Sequence, residues 1–360
     1  MINSNIILII TIIIIIICCI LIIEFYCYLN RISFHELLNP KLYNQLELYD
    51  INNKEDNVLF NLYNQLENYI NNKEYNINNK EYLEKIKEGY IIMKNTKIVI
   101  GGLFKDSANK FELFKKRINN LSKYFKNLQV VIFENDSSDN SRILLLDWEK
   151  NQSNIHIIKL LDNEYCLLKK KSPVSYGMYS NKRMILMAKY RNYIKEYVDI
   201  NYNDYDYYTM IDTDTTGPLN INGLAHAFST QSTLNWDMIA ANGKTGYLST
   251  TGKLMYYDTL AIYNYNKSKE YNIKNLSYIT LYLNFINNKP LKVDCAFGGF
   301  AIYKMSSVKN VNYTPADGKY ICEHTIFTNN MKLNGHSNFY IEPKLIFLVG
   351  KQGPHIFGSY

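Results

Sequence analysis

From residue 97 onward the chain alternates between short apolar runs and longer amphipathic ones. KIVIGGLF, starting at Lys97, is apolar without helical spacing and predicts a strand buried on both faces. A helical pattern follows over 110–125, a second strand over 130–134 (VVIFE), a helix over 141–150 and a third strand over 154–160. A long helix over 182–197 then leads into a strand over 205–211. Further on, strands are predicted within 236–243, 300–303 and 339–341, with a helix over 323–333. Strands and helices taking turns at this spacing predict an α/β domain around a mostly parallel sheet. In such sheets ligands bind beyond the carboxyl ends of the strands.

The pattern before residue 97 is different. Residues 6–23 form an unbroken uncharged run, about 27 Å long as a helix and enough to cross a bilayer. No basic residue precedes it and no small-x-small cleavage site follows, so an uncleaved transmembrane anchor is expected there. Orientation stays open, because Arg31 and Lys41 after the run are offset by Glu24 and Glu36. Residues 24–94 are repetitive: LYNQLE begins at Leu42 and Leu62, and INNKE at Ile51, Ile70 and Ile77. This stretch is expected to be a helical or partly disordered stem, with the catalytic domain spanning 95–360.

Composition narrows the partners. The net charge is +7, but the lysines are scattered rather than gathered into a stripe, so nucleic acid is not an expected partner. Cys166, Cys295 and Cys322 are widely spaced with no C-x-x-C, which indicates neither a disulfide framework nor a zinc site.

The chemistry concentrates at Asp212-Thr213-Asp214. Strand alternation turns the two carboxylates the same way, with Thr213 opposite. Such a pair suits a hard divalent cation, Mn²⁺ or Mg²⁺, when a diphosphate completes the shell. Upstream, FENDSSDNS (133–141) offers Glu134, Asn135 and Asp139 as acceptors for a nucleobase or ribose, and Asp139 or Ser141 as a helix cap. KRMILMAKYRNYI (182–194) places Arg183 and Arg191 near one helix face, where they can steady a diphosphate. FGGFAIY (297–303) brings Gly298 and Gly299, which allow close backbone approach. CEH (322–324) follows with Glu323 at a helix start.

In chain order, FENDSSDNS, KRMILMAKYRNYI, IDTD and FGGFAIY with CEH together resemble the nucleotide-sugar glycosyltransferases of the GT-A fold, particularly the broad family 2-like group. The resemblance covers about residues 97–355. It implies a Rossmann-like, mostly parallel central sheet and a metal held by Asp214, with Asp212 sharing it or turned to the ribose. It implies Glu323 as general base, with Asp294 and Asp317 in reserve, and a C-terminal histidine as a further metal ligand. His355 is the first candidate for that ligand, against His324 and His336. The aromatics and Asp258 of YYDTLAIY (256–263) match no donor motif and suit a sugar acceptor cleft.

The function expected from this resemblance is a membrane-anchored, metal-dependent hexosyltransferase. It would move a sugar from a nucleotide-sugar donor to a hydroxyl of a glycan, protein or lipid acceptor, with inversion. The membrane would be of the endoplasmic reticulum or Golgi type, or one of viral assembly. The alternative is a glycosyltransferase-like binding or scaffold protein without catalysis.

Overall fold

The computed structural model describes residues 80–159, 181–248, 254–258, 261–262, 283, 289–319 and 321–350. The apolar run at 6–23, most of the 24–94 stretch and His355 lie outside the described residues. Among the described residues no helix is long and apolar enough to cross a membrane.

A nine-stranded sheet organises the described chain. Its parallel part is built from β1 (Lys97–Phe104), β2 (Asn127–Glu134), β3 (Ile155–Lys159) and β4 (Tyr207–Asp212). Parallel neighbours need crossovers, and helices supply them: α2 (Phe111–Ser122), α3 (Ser141–Asn151) and α4 (Asn181–Asn201). The rest comprises β5 (Met238–Leu248), β6 (Leu254–Tyr256), β7 (Leu291–Lys292), β8 (Phe300–Lys304) and β9 (Phe339–Gly350). Strand order is β3-β2-β1-β4-β8-β5-β9-β7, with β6 paired to β5. β8 runs antiparallel to both its neighbours, β4 and β5, while β5 and β9 are parallel. The sheet is therefore mixed, with β6, β7 and β8 opposed to the main direction.

Alternation along the strands explains the two-sided core. In β1, Ile98 and Ile100 point into one apolar cluster and Val99 into the other. In β4, Tyr207 and Ile211 face the first and Tyr208 and Met210 the second. A sheet apolar on both faces must be covered on both. On the first face lie α2, α3, α1 (Lys80–Asn95) and α5 (Ile221–Ser229). There Phe111 and Phe114 meet Trp148 edge-on, with ring centroids 5.7 and 5.9 Å apart. After the short α6 (Gln231–Leu234), the second face is covered by α4, α7 (Met305–Val308) and α8 (Glu323–Leu333).

Several elements differ from the sequence expectation. The final strand runs on to Gly350 instead of ending at residue 341. Glu342-Pro343-Lys344 breaks its apolar run, and the pairing with β5 shifts register between Ala241 and Asn242 before continuing through Ile346. That is a bulge within one strand, not an end. The pattern also gave no sign of α5, whose residues are buried all round except Asn222 and so show no polar face. Its start is set by Asn220, whose Oδ1 accepts the Gly223 N–H at 2.8 Å. The helix α1 is packed on α5: Tyr82, Ile86 and Met93 are buried, and the Tyr90 hydroxyl donates to Asn222 Oδ1 at 2.8 Å.

Candidate active site

β4 ends at the carboxyl edge of the parallel strands, and its last residue is Asp212. The turn that follows is fixed from several sides. Thr213 donates its hydroxyl to the Leu103 carbonyl, and Thr215 donates to the Asp212 carbonyl at 3.2 Å. Arg117, buried on α2, reaches up with Nη2 to the carbonyls of Thr215 (3.1 Å) and Gly217 (2.6 Å). Its guanidinium lies over the Phe347 ring, 4.9 Å from the centroid. On the other flank, the Asp212 amide donates to the Gly299 carbonyl at 2.9 Å. The antiparallel pairing of β4 with β8 makes this contact, since the start of β8 lies beside the end of β4.

A cavity of about 100 Å³ opens at this point. Asp212, Arg183, Arg191 and Glu323 all line it, together with Tyr257, Asp258, Phe297, Cys322 and His324. Its helical wall follows helix geometry, because Met184, Met187 and Arg191 recur on one face of α4. Opposite, Glu323 opens α8, where a negative charge complements the helix dipole. Segments distant in sequence thus converge on one cleft.

Inside it the charges are tightly ordered. Arg191 Nε donates to Glu323 Oε1 at 3.1 Å. The Arg191 guanidinium sits over the Phe297 ring at 5.4 Å, and His324 stacks on Phe297 with centroids 3.7 Å apart. Burial, reinforced by the Arg191 charge, holds the His324 pKa well below the usual imidazole value, so the ring is neutral. Burial pushes the Asp258 carboxyl up to about 7, and the nearby Glu323 charge adds to the rise. Burial likewise raises the Asp212 carboxyl well above its ordinary value, with Asp214 the next cause and Arg191 opposing it. The Tyr257 hydroxyl donates to Asp212 Oδ2 at 3.2 Å.

Asp212 and Asp214 fit a divalent cation by this electrostatic criterion. A carboxylate whose hold on a proton is strengthened by a neighbouring carboxylate is also favoured as a ligand for a small hard cation. Among the described residues no three acidic, histidine or cysteine side chains form a ready-made ligand set. A cation here would therefore draw its remaining ligands from water and a substrate phosphate.

The other candidates fall in different places. Glu134 is fully buried: Oε1 accepts the Ser137 N–H and Oε2 the Arg142 Nε–H, each at 2.6 Å. Asp139 accepts from the amides of Ala108 (3.1 Å) and Ser141 (3.0 Å). The Asn135 amide donates to the Phe104 carbonyl at 3.0 Å. These residues lace the 133–141 loop to the 105–108 turn and do not line the cavity. Gly298 and Gly299 have φ of +61° and +80°, in the left-handed region that favours glycine. A Cβ on Gly298 would fall 2.1 Å from the Ala241 carbonyl oxygen. Of the histidines, His336 sits at the opposite end of the sheet, with Nδ1 3.1 Å from Asp237. Asp294 pairs with Lys332 at 2.7 Å, and Asp317 is exposed and accepts from the Lys319 amide at 3.0 Å. Neither reserve carboxylate lines the cavity.

Phe297 and Cys322 line the site without having been singled out for it, and His324, weighed only as an alternative metal ligand, lines it stacked on Phe297. The order F-G-G and C-E-H placed them next to candidates, but nothing in residue type alone marks a stacked Phe–His pair.

No protein family matches this chain, and no curated protein does. Among solved structures, it is similar to residues 1–349 of S. aureus TarS in complex with UDP-GlcNAc, at 16% identity and a TM-score of 0.40. That match covers 73% of this chain and 61% of the other. The mannosyltransferase PcManGT from Pyrobaculum calidifontis, in complex with GDP-Man and Mn²⁺, matches at 11% identity and a TM-score of 0.42. It covers 76% of this chain and 65% of the other. The chain spans 35% of the longer TarS chain. Likenesses this distant assign no role to any residue here.

Proposed function

We propose that the protein is a nucleotide-sugar glycosyltransferase that uses a divalent cation, Mn²⁺ or Mg²⁺, and transfers a hexosyl group to a hydroxyl acceptor with inversion. The observation that carries this reading is the convergence of Asp212, Arg191, Arg183 and Glu323 on one cleft at the carboxyl end of β4. A carboxylate for a cation, two guanidinium groups for a diphosphate and a further carboxylate for a proton are what such a transfer requires.

In this reading Asp212 and Asp214 hold the cation, which when bound supplies Lewis-acid neutralisation of the departing diphosphate. Arg191 and Arg183 face the same charge from α4. Tyr257 orients Asp212 through its hydroxyl, and Gly298-Gly299 lets backbone pass close to the sugar. A carboxylate of the cleft takes the acceptor proton, and Glu323 is the residue the sequence offers for it. The acceptor, whether glycan, protein or lipid, would enter past Tyr257 and Asp258. Residues 6–23 would hold the enzyme at a membrane.

A thermal-unfolding panel on the full chain tests this, with UDP, GDP and CMP, each with and without Mn²⁺. A ligand that binds only the native state raises the midpoint by mass action. The expected result is a shift with one nucleotide that depends on Mn²⁺ and is lost in Asp214→Ala. If no nucleotide shifts the midpoint, the transferase reading fails. A nucleotide that binds while its sugar derivative is never cleaved would leave the non-catalytic binding protein instead.

A further inference from the structure

Glu323 is poorly placed to be a base. Its Oε1 is engaged by Arg191 Nε at 3.1 Å and faces His324 Nε2 at 3.8 Å, and its side chain is 8% exposed. A carboxylate oxygen committed to a buried charge-assisted hydrogen bond is poorly placed to accept a further one from an acceptor hydroxyl.

Asp258 has a different setting. It follows β6 directly, is 7% exposed and lines the same cavity as Asp212, Arg191 and Glu323. Its Oδ1 accepts from the Ala261 amide at 3.3 Å, and the Gly298 amide donates to the same carboxylate. Its Oδ2 is buried with no hydrogen-bond partner among the described residues. A buried carboxylate oxygen without a partner costs free energy unless a ligand supplies one.

We propose that Asp258, and not Glu323, is the catalytic residue that takes the proton from the acceptor hydroxyl. The proposal rests on the transferase reading above and names the base within it. The acceptor O–H bond breaks and its proton passes to Asp258 Oδ2. The acceptor oxygen forms a bond to the anomeric carbon, and the bond from that carbon to the phosphate oxygen breaks. Its electron pair leaves with the nucleoside diphosphate. Glu323 stays paired with Arg191, and its nearby charge makes Asp258 a better proton acceptor. A value of about 7 for that carboxyl is consistent with the role, since a general base works best near the operating pH.

The test uses the full chain with Mn²⁺ and UDP-GlcNAc, UDP-glucose or GDP-mannose, reading nucleoside diphosphate release with water as acceptor. Asp258→Asn is expected to lower turnover about 100-fold or more while leaving nucleotide affinity within about threefold. Glu323→Gln is expected to lose about tenfold or less. Formate, as a small external base, should restore release in Asp258→Ala and not in Glu323→Ala. The proposal is overturned if Asp258→Asn turns over like the wild type, if Glu323→Gln shows the larger loss, or if formate rescues Glu323→Ala. It is also overturned if Asp258→Asn loses the nucleotide-dependent thermal shift, which would make Asp258 structural. A wild-type chain that binds nucleotide but releases none from any donor overturns the transferase reading itself, a result separate from all of these.

Discussion

Arg191 and Glu323, 132 positions apart in the chain, form an ion pair at 3.1 Å with side chains only 4% and 8% exposed. The pair joins α4 to α8 across the floor of the cleft. Removing one member of a buried pair strands the other charge, which typically costs about 3–5 kcal/mol. Arg191→Met should therefore destabilise the protein by about that amount in urea unfolding. Adding Glu323→Met to the same chain should recover most of the loss, because replacing both charges by apolar groups is often neutral. A double variant as unstable as the single one would show that the pair is not the source of the cost.

Asp258 should make the stability of the protein depend on pH. Its folded-state pKa, about 7, lies above its ordinary value of 3.8, so the folded form binds the proton more tightly than the unfolded one. The sign follows: its contribution is fully present below about pH 4 and is lost as pH rises through 7. At most roughly 4 kcal/mol is involved. Asp258→Asn removes this dependence, so its stability advantage over wild type should grow between pH 4 and 7. Parallel stability curves for the two proteins would contradict the placement of Asp258.

Arg117 is not one of the residues lining the cavity, yet two of its hydrogen bonds hold the turn that carries Asp214. Lysine cannot reproduce a guanidinium that contacts two carbonyls from one planar group. Arg117→Lys is expected to weaken Mn²⁺-dependent nucleotide binding about tenfold, measured by calorimetry, from loss of about 1.5–3 kcal/mol of hydrogen bonding. Unchanged affinity would mean that the turn holds its shape without the arginine.

Two glycines with similar backbone angles provide a controlled comparison. Gly298 has φ of +61° and no room for a Cβ, while Gly318 has φ of +71° and open space around it. Gly318→Ala should cost about 1–2 kcal/mol from the left-handed backbone alone. Gly298→Ala should cost a further 1–3 kcal/mol, roughly, from overpacking against the Ala241 carbonyl. Equal losses in thermal unfolding would rule out the close approach.

Much of the fold was legible because β1, β2 and β4 are apolar on both faces and separated by helical patterns. The long reach of β9 was not, since Glu342, Pro343 and Lys344 look like a break and only the pairing with β5 carries the strand past them. The packing of α1 was hidden too. Its buried Tyr82, Ile86 and Met93 are spaced along a helix otherwise rich in lysine and glutamate. In the cleft, Arg191, Asp212 and Glu323 were readable from residue type and order. Glu134 and Asp139 show the limit of that logic, since acidic residues at a strand end serve equally well to tie a loop to its own backbone. Asp258 was read with its aromatic neighbours as suited to an acceptor cleft, and no local pattern reveals that it shares a cavity with Glu323.

The carbonyl of Gly299 clasps the Asp212 amide, and the amide of Gly298 clasps the Asp258 carboxylate. The two glycines thus fasten two carboxylates, one at the end of β4 and one just after β6, to a single dipeptide of the backbone. A shift of that dipeptide would move both groups together, so their spacing is set by main chain and not by the side chains around them.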